Sequence, residues 1–362
     1  MPVEPQAPRY FLAQPSLKVA GNSQPDLDAQ IQSVLVEENT DGLYRCEVSL
    51  VNWGTTNSGV GYLYFDRQLL EFGKEFAVAM GAGDGAATVF SGRISGLEGR
   101  FPRDGMPPLL TVLAEDRLFD LRMTRRTRSF EQASDEDVMR QIASDHGLQA
   151  DIDITGPGTY SVLTQVNQTD LAFLRERARA IDAELWVDGK SLHAQAHSRR
   201  RGADLALNYG PQLWEFEALA DLAGQRSSLT VSGWDVAAKE AIAAKAESGV
   251  LGSELGSLQS GSQVLSAAFG DRHEQIASRV PLSDQEARFA AEAAYRRIAR
   301  RFVTGMGLAQ GDGRIRVGAQ VTLNGVGPLF GGSYYVTECR HTFDREQGYT
   351  TRFWVERAGI GG

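Results

Sequence analysis

The 362-residue chain is long enough for two or three domains of ordinary size, and its 37 Lys and Arg against 46 Asp and Glu give a net charge of −9. With 42% hydrophobic residues, 39 glycines and 12 prolines, the composition is globular and excludes a disordered chain, a collagen-like repeat and a basic nucleic-acid coat. Two cysteines, Cys46 and Cys339, can build neither a disulfide framework nor a four-thiolate zinc site.

The opening residues MPVEPQAPRYFLAQP lack the basic flank and apolar run of a signal peptide, and the longer uncharged stretches are broken by Asn, Thr, Ser and Gly. Synthesis in the cytoplasm without stable membrane insertion is expected. Residues 1–130 read as a first β module. IQSVLVEEN, YRCEVSLVNW, EFAVAMG, AATVFSGRISGLEGR and LLTVLAE mix apolar and polar positions between turn formers, the pattern of a curved sheet or small barrel. Gly83-Asp84-Gly85 fits a hairpin turn, because another strand-like run follows where a phosphate loop needs a helix.

Residues 131–203 change period and form a helix-containing α/β insert. Ser134 and Asp137 open a helix whose apolar face is Val138, Met139 and Ile142, ending at Gly147. Thr169 caps a second, with Leu171, Leu174, Ala178 and Ile181 at three- and four-residue spacing. Asp188-Gly189 then separates two strands. Residues 204–362 read as a second β module. LALNYG, LWEFEALADL and SSLTVSGWD are strands, DVAAKEAIAAKAESG is an Ala-rich helix, and residues 247–272 are a flexible Gly/Ser loop. Ser283 and Glu286 open a helix with Ala287, Ala290, Ala291, Ala294, Tyr295, Ile298 and Phe302 on one face. Strand runs punctuated by Gly fill the last sixty residues. The fold class is mainly β with α insertions.

No chemistry-bearing constellation emerges. His193 and His197 have helix-ligand spacing, but HAQAH follows a strand and turn and lacks the glutamate of a zinc-protease helix, so surface histidines are expected. His273-Glu274 lacks the second histidine of that motif, no nucleophile elbow accompanies a βα unit, and the carboxylates are dispersed. No catalytic residue, metal or cofactor is therefore assigned, and the chain is expected not to be an enzyme. Arg122, Arg125, Arg126 and Arg128 form a positive run in an acidic chain, open to an acidic neighbouring subunit, solvent or a phosphate backbone. They are the candidate subunit-interface residues. Neither this run nor Arg199, Arg200 and Arg201 has the interleaved aromatics of a strand-tracking groove, and no nucleic-acid partner is expected. Trp53, Trp186, Trp214, Trp234 and Trp354 are expected in the core.

Taken as a whole, residues 164–195, with Gln165, Asn167-Gln168-Thr169-Asp170 and Phe173-Leu174-Arg175 before the WVDGKSL turn, resemble the phage late control protein D family and the base region of VgrG proteins. Residues 325–357 carry the same resemblance, from Gly332 and Tyr335-Val336-Thr337 through His341 to Gly348-Tyr349-Thr350-Thr351 and Phe353. It spans residues 15–358. The resemblance implies two related tube-like β-barrel domains per chain, and a homotrimer that joins a trimeric spike to a hexameric inner tube at the centre of a contractile-tail or injection-system baseplate. Implied partners are the inner tube or its initiator protein and the surrounding baseplate proteins. Because the sequence stops at GIGG, a separate spike protein is expected. His341 and Tyr349 are expected to maintain the final hairpin. The competing readings are a tail-associated peptidoglycan hydrolase and a carbohydrate-binding tail protein.

Overall fold

The computed structural model describes residues 14–56, 59–81, 87–103, 105–235, 239–277 and 281–361. The expected turn at Gly83-Asp84-Gly85 lies outside them. The alternating apolar runs of the first part form strands Ile31–Asn39, Arg45–Val51, Glu75–Met80, Ala87–Arg100 and Leu109–Glu115. Burial alternates along them, with Val34, Val36, Cys46, Val48, Leu50, Val112 and Ala114 turned into one core. Fully burying each such Val or Leu contributes about 1.5–3 kcal/mol.

The two β modules do not close into separate barrels among the described residues. They are halves of one 13-stranded sheet, joined where the long strand Gly332–Asp344 meets Ile31–Asn39. One edge of Gly332–Asp344 is used twice. Gly332 to Tyr335 pair with Gln320–Asn324, and beyond an irregularity between Val336 and Glu338 the remainder pairs with Ile31–Asn39. The opposite edge carries Gly348–Arg357, which in turn pairs with Val303–Gln310 and then with Leu213–Ala220 at the sheet margin. Phe343 and Tyr349, from the end of the chain, complete the core of the first half. That sharing explains why a two-barrel expectation gives way to one sheet: each half lends the other an edge that it would otherwise leave unpaired.

The insert has its own core. Helices Asp135–Asp145 and Asp170–Ala180 pack on the parallel and antiparallel strands Gln149–Asp153, Ser191–Ala196 and Ala183–Asp188. Both sequence-predicted caps form: Ser134 and Asp137 make a reciprocal capping box, and Thr169 accepts from Ala172 N–H. Strand Arg125–Ala133 pairs with Tyr160–Thr169, so a boundary drawn at residue 130 cuts through it.

Two local expectations in the last third are corrected. The Ala-rich segment is strand Glu240–Glu247, paired with Ser228–Asp235. Its Ile242 and Ala246 face Ala287, Ala291 and Tyr295 of helix Asp284–Arg300, and the small side chains permit a close helix-on-sheet approach that outweighs helix propensity. The 247–272 segment, read as a flexible loop, contains 3-10 turns over Ser248–Glu254 and helix Gly261–Phe269, whose Ser260 and Gln263 form a capping box. Its packing comes from Leu251 and Leu265, which are buried.

Candidate functional site

The four arginines singled out in the sequence are engaged within the chain. Arg122 donates to both carboxylate oxygens of Glu115 at 2.7 and 2.8 Å and lies over the Phe119 ring, while Arg125 donates to Asn167 O at 2.8 Å. Arg126 and Arg128 converge on Asp170, the first residue of its helix, at 3.2 and 2.8 Å. Arg128 also reaches Gln165 at 2.9 Å and Asp145 at 2.7 Å, and His146 Nε2 completes the ring around Asp170 at 2.8 Å. Burial alone would raise the Asp170 carboxyl, but His146, Gln165 and the two guanidinium groups hold it below its ordinary value. The cluster locks strand Arg125–Ala133 to the second insert helix.

Three further polar clusters tie the parts of the molecule together. At the first, Glu184 is buried and accepts from Arg200 and Tyr335 at 2.8 Å and pairs with His197 Nδ1 at 2.6 Å. Arg200 continues to Tyr44 OH at 2.7 Å and stacks over Trp186 at 4.0 Å. Burial would push the Glu184 carboxyl up, yet His197, Arg200 and Tyr335 bring it down to about 2. His197 is thus a buried partner, contrary to the surface expectation, and His193 stacks on Trp186 and reaches Asp151 at 2.8 Å. Second, at the seam, Glu38 pairs with Arg316 beside Cys339, and His341 Nδ1 shares a hydrogen bond of 2.8 Å with Tyr349 OH. Burial pushes the His341 imidazole down to about 4 and the Cys339 thiol well up, so both side chains are neutral at neutral pH. Third, Arg300 clamps Asp182 at 2.6 and 2.7 Å and Glu254 at 2.7 and 2.8 Å.

Between the insert, helix Asp284–Arg300 and the sheet lies a cleft of about 760 Å³. Its Asp182 and Glu184 are spent on the clamps just described, and Asp41 pairs with Arg179 at 2.5 Å. Of the described cleft carboxylates Glu356 alone has no hydrogen bond or ion pair, and burial raises it above its ordinary range. Among the described residues no group of three His, Cys, Asp or Glu is placed to hold a metal, and no helix is long and apolar enough to cross a membrane.

The surface feature that sequence reasoning missed is an exposed aromatic group. Register places Val51, Leu109 and Arg100 at one end of three neighbouring strands, so the chain after Val51, after Arg100 and before Leu109 emerges side by side. There Trp53, Tyr62, Phe65 and Phe101 pack ring against ring with centroids 5.1–6.2 Å apart, and Val60 and Met106 are exposed as well. Phe101 is 63% exposed and Trp53 42%. Buried Asn52 holds the base by accepting from Leu63 N–H and Tyr64 N–H at 2.9 and 2.8 Å. At Gly99 an added Cβ would press into Phe65 and Phe101, so glycine lets both rings lie on its backbone. Trp53, Trp214 and Trp234 are exposed, contrary to the core expectation, whereas Trp186 and Trp354 are half-buried. The legible signal was three of these four aromatics, Trp53, Tyr62 and Phe65, flanking a Gly-rich hairpin.

Comparison with known proteins agrees with this architecture. Residues 12–345 match the family model described as Alg8 N-terminal domain. No curated protein matches the chain. The fold is similar to the 43 kDa tail protein of prophage MuSo2 from Shewanella oneidensis, at TM-score 0.71 and 11% identity over 95% of this chain and 98% of that one. It is similar to a tail protein from Neisseria meningitidis MC58, at TM-score 0.64 and 11% identity over 96% and 97%. It is also similar to the E. coli c3393 protein, a component of the type VI secretion system with structural similarity to T4 bacteriophage tail proteins gp27 and gp5, at TM-score 0.61 and 11% identity over 96% and 79%.

Proposed function

The chain belongs to the Alg8 N-terminal domain family, and from its likeness in fold to tail proteins we propose that it is the structural hub at the centre of a contractile-tail or contractile-injection-system baseplate. The observation that carries this reading is the extent of the likeness: the whole order of sheet, insert and returning sheet is matched end to end in a phage tail protein. In this role the chain is a late control protein D and VgrG-base relative that forms a homotrimer, seats a trimeric spike on one side and the inner tube on the other, and is held by surrounding baseplate proteins. It catalyses no reaction. The closed polar clusters support a rigid part, since each buried charge pair joins segments distant in sequence and leaves little free for chemistry.

Native mass measurement of the full chain tests the reading. Three copies per particle are expected, and a stable monomer in the presence of spike and tube proteins would overturn it. The hydrolase reading predicts release of soluble fragments from peptidoglycan by the isolated chain; none is expected.

A further inference from the structure

The aromatic group and the sheet margin are chemically matched. Around the rings of Trp53, Tyr62, Phe65 and Phe101, residues Arg100 and Arg103 are exposed and carry no ion pair among the described residues. At the far side of the sheet, strand Leu213–Ala220 pairs with Val303–Gln310 on one side and, apart from a bridge of Leu213 to Tyr209, with no strand on the other among the described residues, leaving most of its outer main-chain groups unpaired within the sheet. That strand exposes Trp214 and Leu219 together with Glu215 and Glu217, neither of which has an ion pair among the described residues. One surface is apolar with Arg100 and Arg103 beside the exposed Asp66 and Glu98, the other apolar with Glu215 and Glu217 and no basic neighbour on its strand.

Within one copy the two cannot meet. Four strands separate Leu213–Ala220 from Arg45–Val51, a gap of about 24 Å at ordinary strand spacing. We propose that the aromatic surface of one copy is the seat for the acidic edge strand Leu213–Ala220 of a second copy, and that this head-to-tail contact, repeated, closes the ring. A contact between unlike patches generates a closed ring when its rotation matches the copy number. It buries the exposed rings, pairs two arginines with two glutamates, and covers a strand edge that would otherwise recruit unwanted partners. The rings favour a protein over a sugar, because they pack edge to face and tilted against each other instead of presenting a row of open parallel platforms. The inference rests on the trimeric hub reading and names the faces by which its copies join.

The test uses the full chain. Cys46 and Cys339 are buried and leave engineered thiols as the reactive ones. Phe101→Cys and Leu219→Cys proteins are oxidised singly and mixed. The mixture is expected to give a covalent dimer, each protein alone none, and the double variant a covalent trimer. In parallel, Arg100→Glu with Arg103→Glu is expected to weaken assembly about tenfold or more, and adding Glu215→Arg with Glu217→Arg to restore it. A trimeric wild type whose variants neither cross-link nor weaken overturns this contact and leaves the hub reading standing; a wild type that stays monomeric with its partners present overturns the hub reading itself. A trimer that survives charge reversal but loses spike, tube or glycan binding assigns the aromatic surface to that other occupant and also overturns the inference.

Discussion

Glu184 shows how a single side chain can join three stretches of the chain. It takes bonds from His197 and Arg200 of the insert and Tyr335 of the last third, and Arg200 passes the connection to Tyr44. A carboxyl held at about 2 in the fold, against about 4.5 when unfolded, stabilises the fold fully above pH 4.5 and loses that contribution as pH falls toward 2. The stake is about 3 kcal/mol. Wild type is therefore expected to lose urea stability between pH 5 and pH 3 more steeply than Glu184→Gln; parallel profiles would refute it. Arg200→Met leaves the carboxylate buried with a main charge partner gone and is expected to cost about 3–5 kcal/mol by equilibrium unfolding at pH 7. None of this was legible in the sequence, where the histidines of HAQAH read as surface residues. The partners are 13 to 151 residues from Glu184, and side-chain pairing over such spans leaves no periodic trace.

At the scale of elements, helices Asp135–Asp145, Asp170–Ala180 and Asp284–Arg300 declared themselves through caps and spacing, whereas helix Gly261–Phe269 and strand Glu240–Glu247 did not. Alanine favours helix when nothing else decides, but a strand slot beside Ser228–Asp235 beneath helix Asp284–Arg300 rewards small, flat-packing residues instead. Enlarging that layer by Ala291→Leu is expected to destabilise by about 1–3 kcal/mol, seen as a lower urea midpoint with unchanged secondary structure. The final hairpin was anticipated more closely: His341 and Tyr349 do pair, beneath strand neighbours Thr350 and Thr351. Their geometry depends on Gly311, where an added Cβ would fall inside the Tyr349 ring. Gly311→Ala is expected to displace that ring, lower the melting temperature by several degrees, and restore titration of His341 toward pH 6.5 in the NMR spectrum; an unchanged His341 signal would show the ring had not moved.

For the molecule as a whole, the succession of β-rich, α/β and β-rich segments was legible, but not that the β-rich segments share one sheet. The pairing that fuses them joins residues about 300 positions apart, and local pattern specifies that a strand has a buried face without naming its neighbour. The aromatic surface was hidden for a related reason, since exposed and buried rings look alike in a strand-rich sequence. Sharing of cores has a thermodynamic corollary: because Phe343 and Tyr349 belong to the first half's interior, the two sheet halves are expected to melt in one calorimetric transition. Two resolved peaks from the sheet would show that each half carries its own stability.

The seam also gives the molecule a mechanical direction. Seven residue pairs, from Glu338 with Asn39 to Asp344 with Ser33, hold the halves together, and their hydrogen bonds run across the strands. A tug that peels the halves apart breaks these rungs one after another at low force, while a thrust directed along the strands loads all of them in shear at once. The same join is thus soft to prying and stiff to sliding, so the orientation of the seam to an applied stroke decides how much load it bears.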